Sequence, residues 1–191
     1  MSKLSEQILR IEDAYAEVDR ETAAFARESD LGCPDGCGAC CTDPNVEATV
    51  SELLPMAETV WRAGRAEEVI AWIEDGGEGS ACFAYQASSP DGRQGKCGFY
   101  ESRPLVCRLF GFSGNPDKRG TLRPALCWLM QSETPDDCQR VKDRVRGEMT
   151  IPDGPAHAMK LFGETGDTLR MPINQAIRKA IDRVYLARLE G

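Results

Sequence analysis

Cys33-Pro34-Asp35-Gly36-Cys37-Gly38-Ala39-Cys40-Cys41 puts four of the chain's nine cysteines into a short run otherwise made of small and turn-forming residues. No apolar periodicity passes through it, so it reads as a loop shaped by what its sulfurs hold. Thiolates clustered at such spacing are ligands for soft metal ions. Gly36 and Gly38 let the backbone wrap closely and turn its N–H groups toward sulfur. Side chains at neighbouring positions diverge, so Cys40 and Cys41 are expected to serve different ions.

Working outward, Cys82, Cys97, Cys107 and Cys127 add four thiols, each in a Gly/Pro/polar stretch and not in an obvious apolar helix. Eight thiolates suit two four-cysteine sites sharing the loop. A disulfide framework is the rival, and compartment weighs against it. The start, Met-Ser-Lys-Leu-Ser-Glu-Gln, runs into a charged amphipathic segment with neither an apolar core nor a small-residue cleavage site. A cytoplasmic location is therefore expected, where clustered cysteines serve as metal ligands or redox groups more than as cross-links. Nine is also an odd number, and nine in 191 residues falls short of the roughly 8–10% typical of short disulfide scaffolds.

The flanks read as helices. Leu4, Ile8, Ile11, Tyr15, Val18 and Phe25 recur at helical spacing over residues 3–28. A second helix begins near Ser51 as N-cap, with Pro55 in its first turn and Gly64 at its end. A third covers Ala66 to Glu74, closed by Asp75-Gly76-Gly77. From there to about Pro135, Gly, Pro, Ser and Asp recur every few residues, so strands must be brief, and cross-linking by metal would explain how the stretch holds a shape. Two helices close the chain. One, capped by Asp136 or Asp137, carries Cys138, Val141 and Val145, and the other runs from Pro172 to about Leu189 with Ile173, Ile177, Ile181, Val184 and Tyr185 as its stripe. These two are expected to pack on each other over the metal-bearing middle. The reading is a mainly α fold, one small domain over residues 1–191. Flanking amphipathic helices surround an irregular cysteine-rich centre at about 31–127, with at most short strands.

Together, Cys33-x3-Cys37-x2-Cys40-Cys41, Cys82, the segment Cys97-Gly-Phe-Tyr-Glu-Ser-Arg-Pro-Leu-Val-Cys107-Arg, and Cys127 resemble the YkgJ-type cysteine-cluster family, described as zinc- or iron-chelating. The Tyr-Glu-x-Arg-Pro-x-x-Cys-Arg segment makes the likeness specific. The resemblance implies the ligand set Cys33, Cys37, Cys40, Cys41, Cys82, Cys97, Cys107 and Cys127, and leaves Cys138 outside it as a buried spectator. Some relatives are described as flagellin lysine methylases, which makes a metal- or cluster-dependent enzyme the alternative class. The chain shows no recognisable methyl-donor loop, and no catalytic residue is assigned.

Arg103 and Arg108 bracket Pro104 and Cys107 and are expected to stand behind the thiolates as counter-charges. The metal is zinc or iron, the latter including an iron–sulfur cluster. Only Cys37/Cys40 has the Cys-x2-Cys spacing of zinc knuckles, and thiols grouped in this way also ligate clusters. Cys-x3-Cys-x2-Cys is also the spacing of radical S-adenosylmethionine enzymes. A barrel of about 200 residues or more and strand–helix alternation are missing, and Ala39 stands where an aromatic is usual. His157, the only histidine, reads as a helix-surface or capping residue. The net charge of −8 argues against nucleic acid, and no apolar run reaches the ~18 residues of a membrane span. What remains as a partner is a protein of unspecified kind.

Overall fold

Buried Ile8, Ile11, Tyr15, Val18, Thr22 and Phe25, spaced by three and four, build one long helix, α1 (Lys3–Ser29). It is the spine of the computed structural model, which describes residues 2–34, 36–92 and 94–189. Asp35 of the cysteine loop and Arg93 of the run from Asp91 to Gly95 lie outside those residues. Ser2 caps α1 by accepting from the Ser5 N–H at 3.2 Å, and Asp30 ends it in a left-handed conformation with φ 56°.

After the cysteine loop, β1 (Glu47–Ala48) leads through a tight 3-10 turn at Ser51–Leu53 into α2 (Leu54–Arg62). The cap here is Thr49, not Ser51. Thr49 Oγ1 accepts from the Glu52 N–H at 3.2 Å while Glu52 Oε2 accepts from the Thr49 N–H at 2.7 Å, a reciprocal capping box buried in the protein. Next come α3 (Ala66–Glu74), β2 (Tyr85–Ala87) and β3 (Gly95–Cys97). α4 (Leu105–Leu109), β4 (Gly114–Pro116), β5 (Leu122–Pro124), α5 (Trp128–Glu133) and α6 (Pro135–Arg144) follow. The chain closes with α7 (Gly154–Thr165), β6 (Met171–Pro172) and α8 (Ile173–Leu189). The strands form three separate antiparallel pairs, β1 with β6, β2 with β3 and β4 with β5. The protein is mainly α, 56% helical, with only short strands among the described residues.

Two apolar clusters form. The larger joins Leu53, Leu54, Ala57 and Val60 to Ala176, Ile177, Ala180, Ile181 and Val184, with Ile8 to Val18 of α1 across them. Alanines at the α2–α8 contact let the two backbones approach closely. The smaller cluster holds Phe25, Leu31, Leu126, Met130, Cys138, Val141, Met149 and Ile151.

Four further expectations need correction. α6 and α8 do not pack on each other, because Cys138 and Val141 face the smaller cluster while the α8 stripe faces the larger. The α6 N-cap position belongs to Thr134, one residue before Pro135, and not to Asp136 or Asp137. Tyr185 is 47% exposed and leans on Trp61 with ring centroids 5.7 Å apart, so it edges the stripe without entering the core. Cys107 lies within α4, where the extended Pro104 opens a single helical turn in a stretch that reads as loop. The sequence reading also passes over α7, which Asp153 caps through Ala156 N–H at 3.0 Å and Gly166 closes at φ 67°.

Candidate metal centre

The cysteine loop is built as a chain of tight turns and then fastened to the β2–β3 hairpin. Cys37 N–H donates to Pro34 O at 3.0 Å, and Cys41 and Thr42 N–H groups both donate to Gly38 O, at 2.9 and 3.2 Å. Gly36 takes φ +70°, which a side chain would resist, and its carbonyl accepts from Gly95 N–H at 2.9 Å. Gly38 does a different job. Its Cα lies against the Tyr85 ring, so closely that a Cβ there would stand 2.2 Å from Cε2. Gly95 meets the same ring, and Tyr85 Oη donates to Gly92 O at 2.7 Å. The ring therefore rivets loop to hairpin.

Cys82 is placed from two sides. Its N–H donates to Cys41 O at 2.8 Å. Beyond it, buried Asn174 of α8 accepts from Phe83 N–H at 3.0 Å and donates to the carbonyls of Gly77, Ser80 and Ala81 at 2.9, 3.3 and 3.1 Å. Every polar group of that amide is used, which fixes the path of residues 77–83. Cys97 ends β3 opposite Tyr85, Cys107 rides on α4, and Cys127 occupies the N-cap position of α5.

Seven thiols, those of Cys33, Cys37, Cys40, Cys41, Cys82, Cys97 and Cys107, line one cavity of about 580 Å³. Cys127 does not line it, but is close enough that its charge would raise the Cys33 thiol. Cys138 is buried in the smaller cluster and is absent from the cavity wall. The sulfurs do not close on a point: among the described residues, no group of three or more Cys, His, Asp or Glu side chains forms a ready metal-ligand arrangement.

Electrostatics ties the thiols into one assembly. Burial pushes Cys33 up to about 11, with the charges of Cys37, Cys40 and Cys127 adding to it. Burial likewise raises Cys82 to about 12 and Cys107 well above the ordinary thiol range, and Cys40 adds to both. Cys97 is raised by burial as well. Cys40 goes the other way, down to about 7, because the Cys41 thiol hydrogen-bonds to it, and Cys41 as donor is held far up. Both adjacent residues line the cavity, since the turn at Gly38 carries them toward it. Deprotonating so many buried, mutually repelling thiols without a cation is costly, and that is the condition under which a metal ion replaces protons. An all-sulfur donor set of this kind fits zinc or iron and not magnesium or calcium.

Both arginines line the cavity, with different tasks. The charge of Arg103 favours the thiolates of Cys33, Cys97 and Cys107. Its guanidinium sits 3.9 Å from the Tyr100 ring centroid and donates to Tyr100 O at 2.9 Å and to Asp19 at 3.2 Å. Arg108 is 5% exposed, stacks 4.5 Å from the Tyr15 centroid, and donates to Asp19, to Glu101 O and to Arg103 O, the last at 2.8 Å. It braces the backbone behind the thiols. Asp19, the α1 carboxylate that both arginines share, carried no signal in the sequence, nor did Asn174. His157 is remote, paired with Glu21 at 2.8 Å across α7 and α1.

A helical scaffold that turns seven cysteines onto one cavity defines a class, the thiol-rich metal-chelating proteins. The chain belongs to the CxxCxxCC family, described as "Putative zinc- or iron-chelating domain", whose model matches residues 32–140, more than half its length. That match contains all eight expected ligands and runs into α6, past Cys138. No curated protein and no solved structure matches the chain. No helix among the described residues is long and apolar enough to cross a membrane.

Proposed function

We propose that this protein holds zinc or iron through eight thiols at two adjoining centres in one domain, serving an accessory or electron-transfer role. The observation that carries it is the convergence of cysteines from four separate segments onto a single cavity. The mutual influence of the thiols supports a division. Cys82 and Cys107 influence Cys41, and Cys97 influences Cys82 and Cys107, on the inner side; Cys33 feels Cys37 and Cys127 on the outer side, and Cys40 acts on both groups. Arg103 is the counter-charge facing them, and Arg108 with Asp19 holds it in place. Zinc bound here would supply a structural cross-link, whereas an iron–sulfur cluster would supply an electron carrier. The acidity of the chain supports a protein partner over nucleic acid.

A second cavity favours the enzymatic alternative enough to keep it. About 670 Å³ in size, it is lined by Glu12, Tyr15, Thr59, Phe99 and Ser102, and it shares Cys97 with the thiol cavity. A small substrate there would lie beside a bound centre. Reconstituting metal-free protein with zinc, or with iron and sulfide, tests the main reading. Uptake of about two zinc ions per chain, or of a thiolate-bound cluster, supports it, and failure to take up either refutes it. Turnover of a small molecule only by the loaded protein would favour the alternative.

A further inference from the structure

The thiols hang from two different apolar clusters. Cys82 and Cys107 pack against the larger, which counts twenty-three buried residues among those described. Cys127 packs against the smaller, which counts eight, and Cys33 stands two residues after Leu31 of that same cluster. Cys33 is the one cysteine whose residue is exposed, while Cys127, Cys82 and Cys107 are half-buried, the last two against the main core. Cys82 is moreover fixed through its own backbone to Cys41 and through Phe83 to Asn174. Among the described residues, the chain leading into α5 is tied by Ala125 N–H to Ser113 O at 2.8 Å, and the helices themselves make few polar bonds to the body. Their polar ties to α1 are Arg144 on Glu28, at 3.2 Å to the carbonyl and 3.3 Å to the carboxylate, both solvent-exposed and worth little. An eight-residue cluster is too small to hold a segment firmly by apolar burial alone.

From this we infer that the eight-thiol assembly has an exchangeable outer half, built on Cys33 and Cys127, and an inert inner half, built on Cys82 and Cys107. The outer half is the clamp that fastens α5–α6 to the helical body. The inference rests on the chelation reading above and goes beyond it by giving the two halves different kinetics and one of them a mechanical task. In exchange, a divalent ion leaves the outer thiolates for an incoming ligand, and each freed thiolate takes up a proton from solvent, so charge and atoms balance. Once the clamp opens, α5–α6 is the unit of lowest local stability.

The test uses the full chain loaded with zinc and challenged with excess of a chromophoric chelator. Release in two phases of equal amplitude, at least tenfold apart in rate, is expected. Cys33→Ser and Cys127→Ser should each remove the fast phase and keep the slow one, and Cys107→Ser should disturb the slow one. Amide hydrogen exchange supplies a second readout, with protection lost over residues 126–149 and kept in α2 and α8 when the fast pool is gone. A single release phase, or uniform loss of protection, overturns the inference while leaving chelation standing. Wild-type protein that takes up no zinc overturns both.

Discussion

Gly38→Ala adds one methyl group at the point where the cysteine loop meets Tyr85. The new Cβ would stand 2.2 Å from Cε2 and 2.6 Å from both Cζ and the hydroxyl, where ordinary contact is 3.4–4 Å. More than an ångström of movement is required. The ring cannot supply it, because its hydroxyl is bonded to Gly92 O at 2.7 Å and its Cε2 lies as near Gly95, where a Cβ would stand 2.5 Å away. The loop must lift instead, carrying Cys37, Cys40 and Cys41 away from the hairpin. Overpacking costs about 1–3 kcal/mol, and loss of the Gly95 N–H bond to Gly36 O as the loop lifts adds about 1 kcal/mol. At about 2–4 °C per kcal/mol for a chain of this size, Tm should fall by roughly 5–15 °C, with weaker metal uptake. Gly38 has no positive φ, so a Gly→Ala change would otherwise be mildly stabilising. A double-mutant cycle with Tyr85→Leu isolates the clash: the pair should recover most of the loss. An unchanged Tm and metal content for Gly38→Ala, or strict additivity in the cycle, would refute the reasoning.

Asn174→Ala removes one acceptor and three donated bonds from the segment leading into Cys82, and should cost about 2–4 kcal/mol with a drop in metal affinity. Calorimetry beside a zinc titration checks this, and a stable variant with full affinity would count against it. Asp19→Asn leaves buried Arg108 without its carboxylate, and since Asp19 is 40% exposed the cost should be about 1–3 kcal/mol, read by denaturant unfolding. Cys138→Ser should leave metal content unchanged, since the thiol is buried away from the cavity; loss of metal in that variant would move Cys138 into the ligand set. For Glu52, burial raises the carboxyl pKa above its ordinary value. Stability from this group is complete below the ordinary range and is lost as pH rises through the raised value. Glu52→Gln keeps the capping acceptor, so relative to wild type it should gain stability as pH rises through the ordinary carboxylate range and hold that gain above the raised value. Parallel stability curves for the two proteins would sink that assignment.

Periodicity was enough for the elements that carry a continuous apolar stripe. α1 and α3 fall where Ile8 to Phe25 and Val69 to Ile73 place them. It fails for α7, which carries Pro155 and Gly163 and buries little beyond Leu161, so only its caps, Asp153 and Gly166, mark it. The α2 start was misread because Thr49-Val-Ser-Glu52 is a capping box whose Glu is fully buried, and a buried acid is not what an N-terminal signature suggests. At the site, thiol spacing pointed to soft-metal chemistry, now supported by the family match. It could not tell that Cys127 arrives from a second apolar cluster, or that Cys40 and Cys41 line the same cavity. Nor does a local pattern distinguish Asp19, Tyr85 and Asn174, which hold the arginines, the loop and the Cys82 segment, from ordinary helix or strand residues.

The most direct test of thiol-based chelation is elemental analysis with an ultraviolet–visible spectrum on protein purified without oxygen. The account predicts thiol-bound metal: about two zinc ions per colourless chain, or iron with inorganic sulfide and broad absorption near ~400 nm. Metal-free protein with all nine thiols freely reactive, and no uptake on reconstitution, would contradict it.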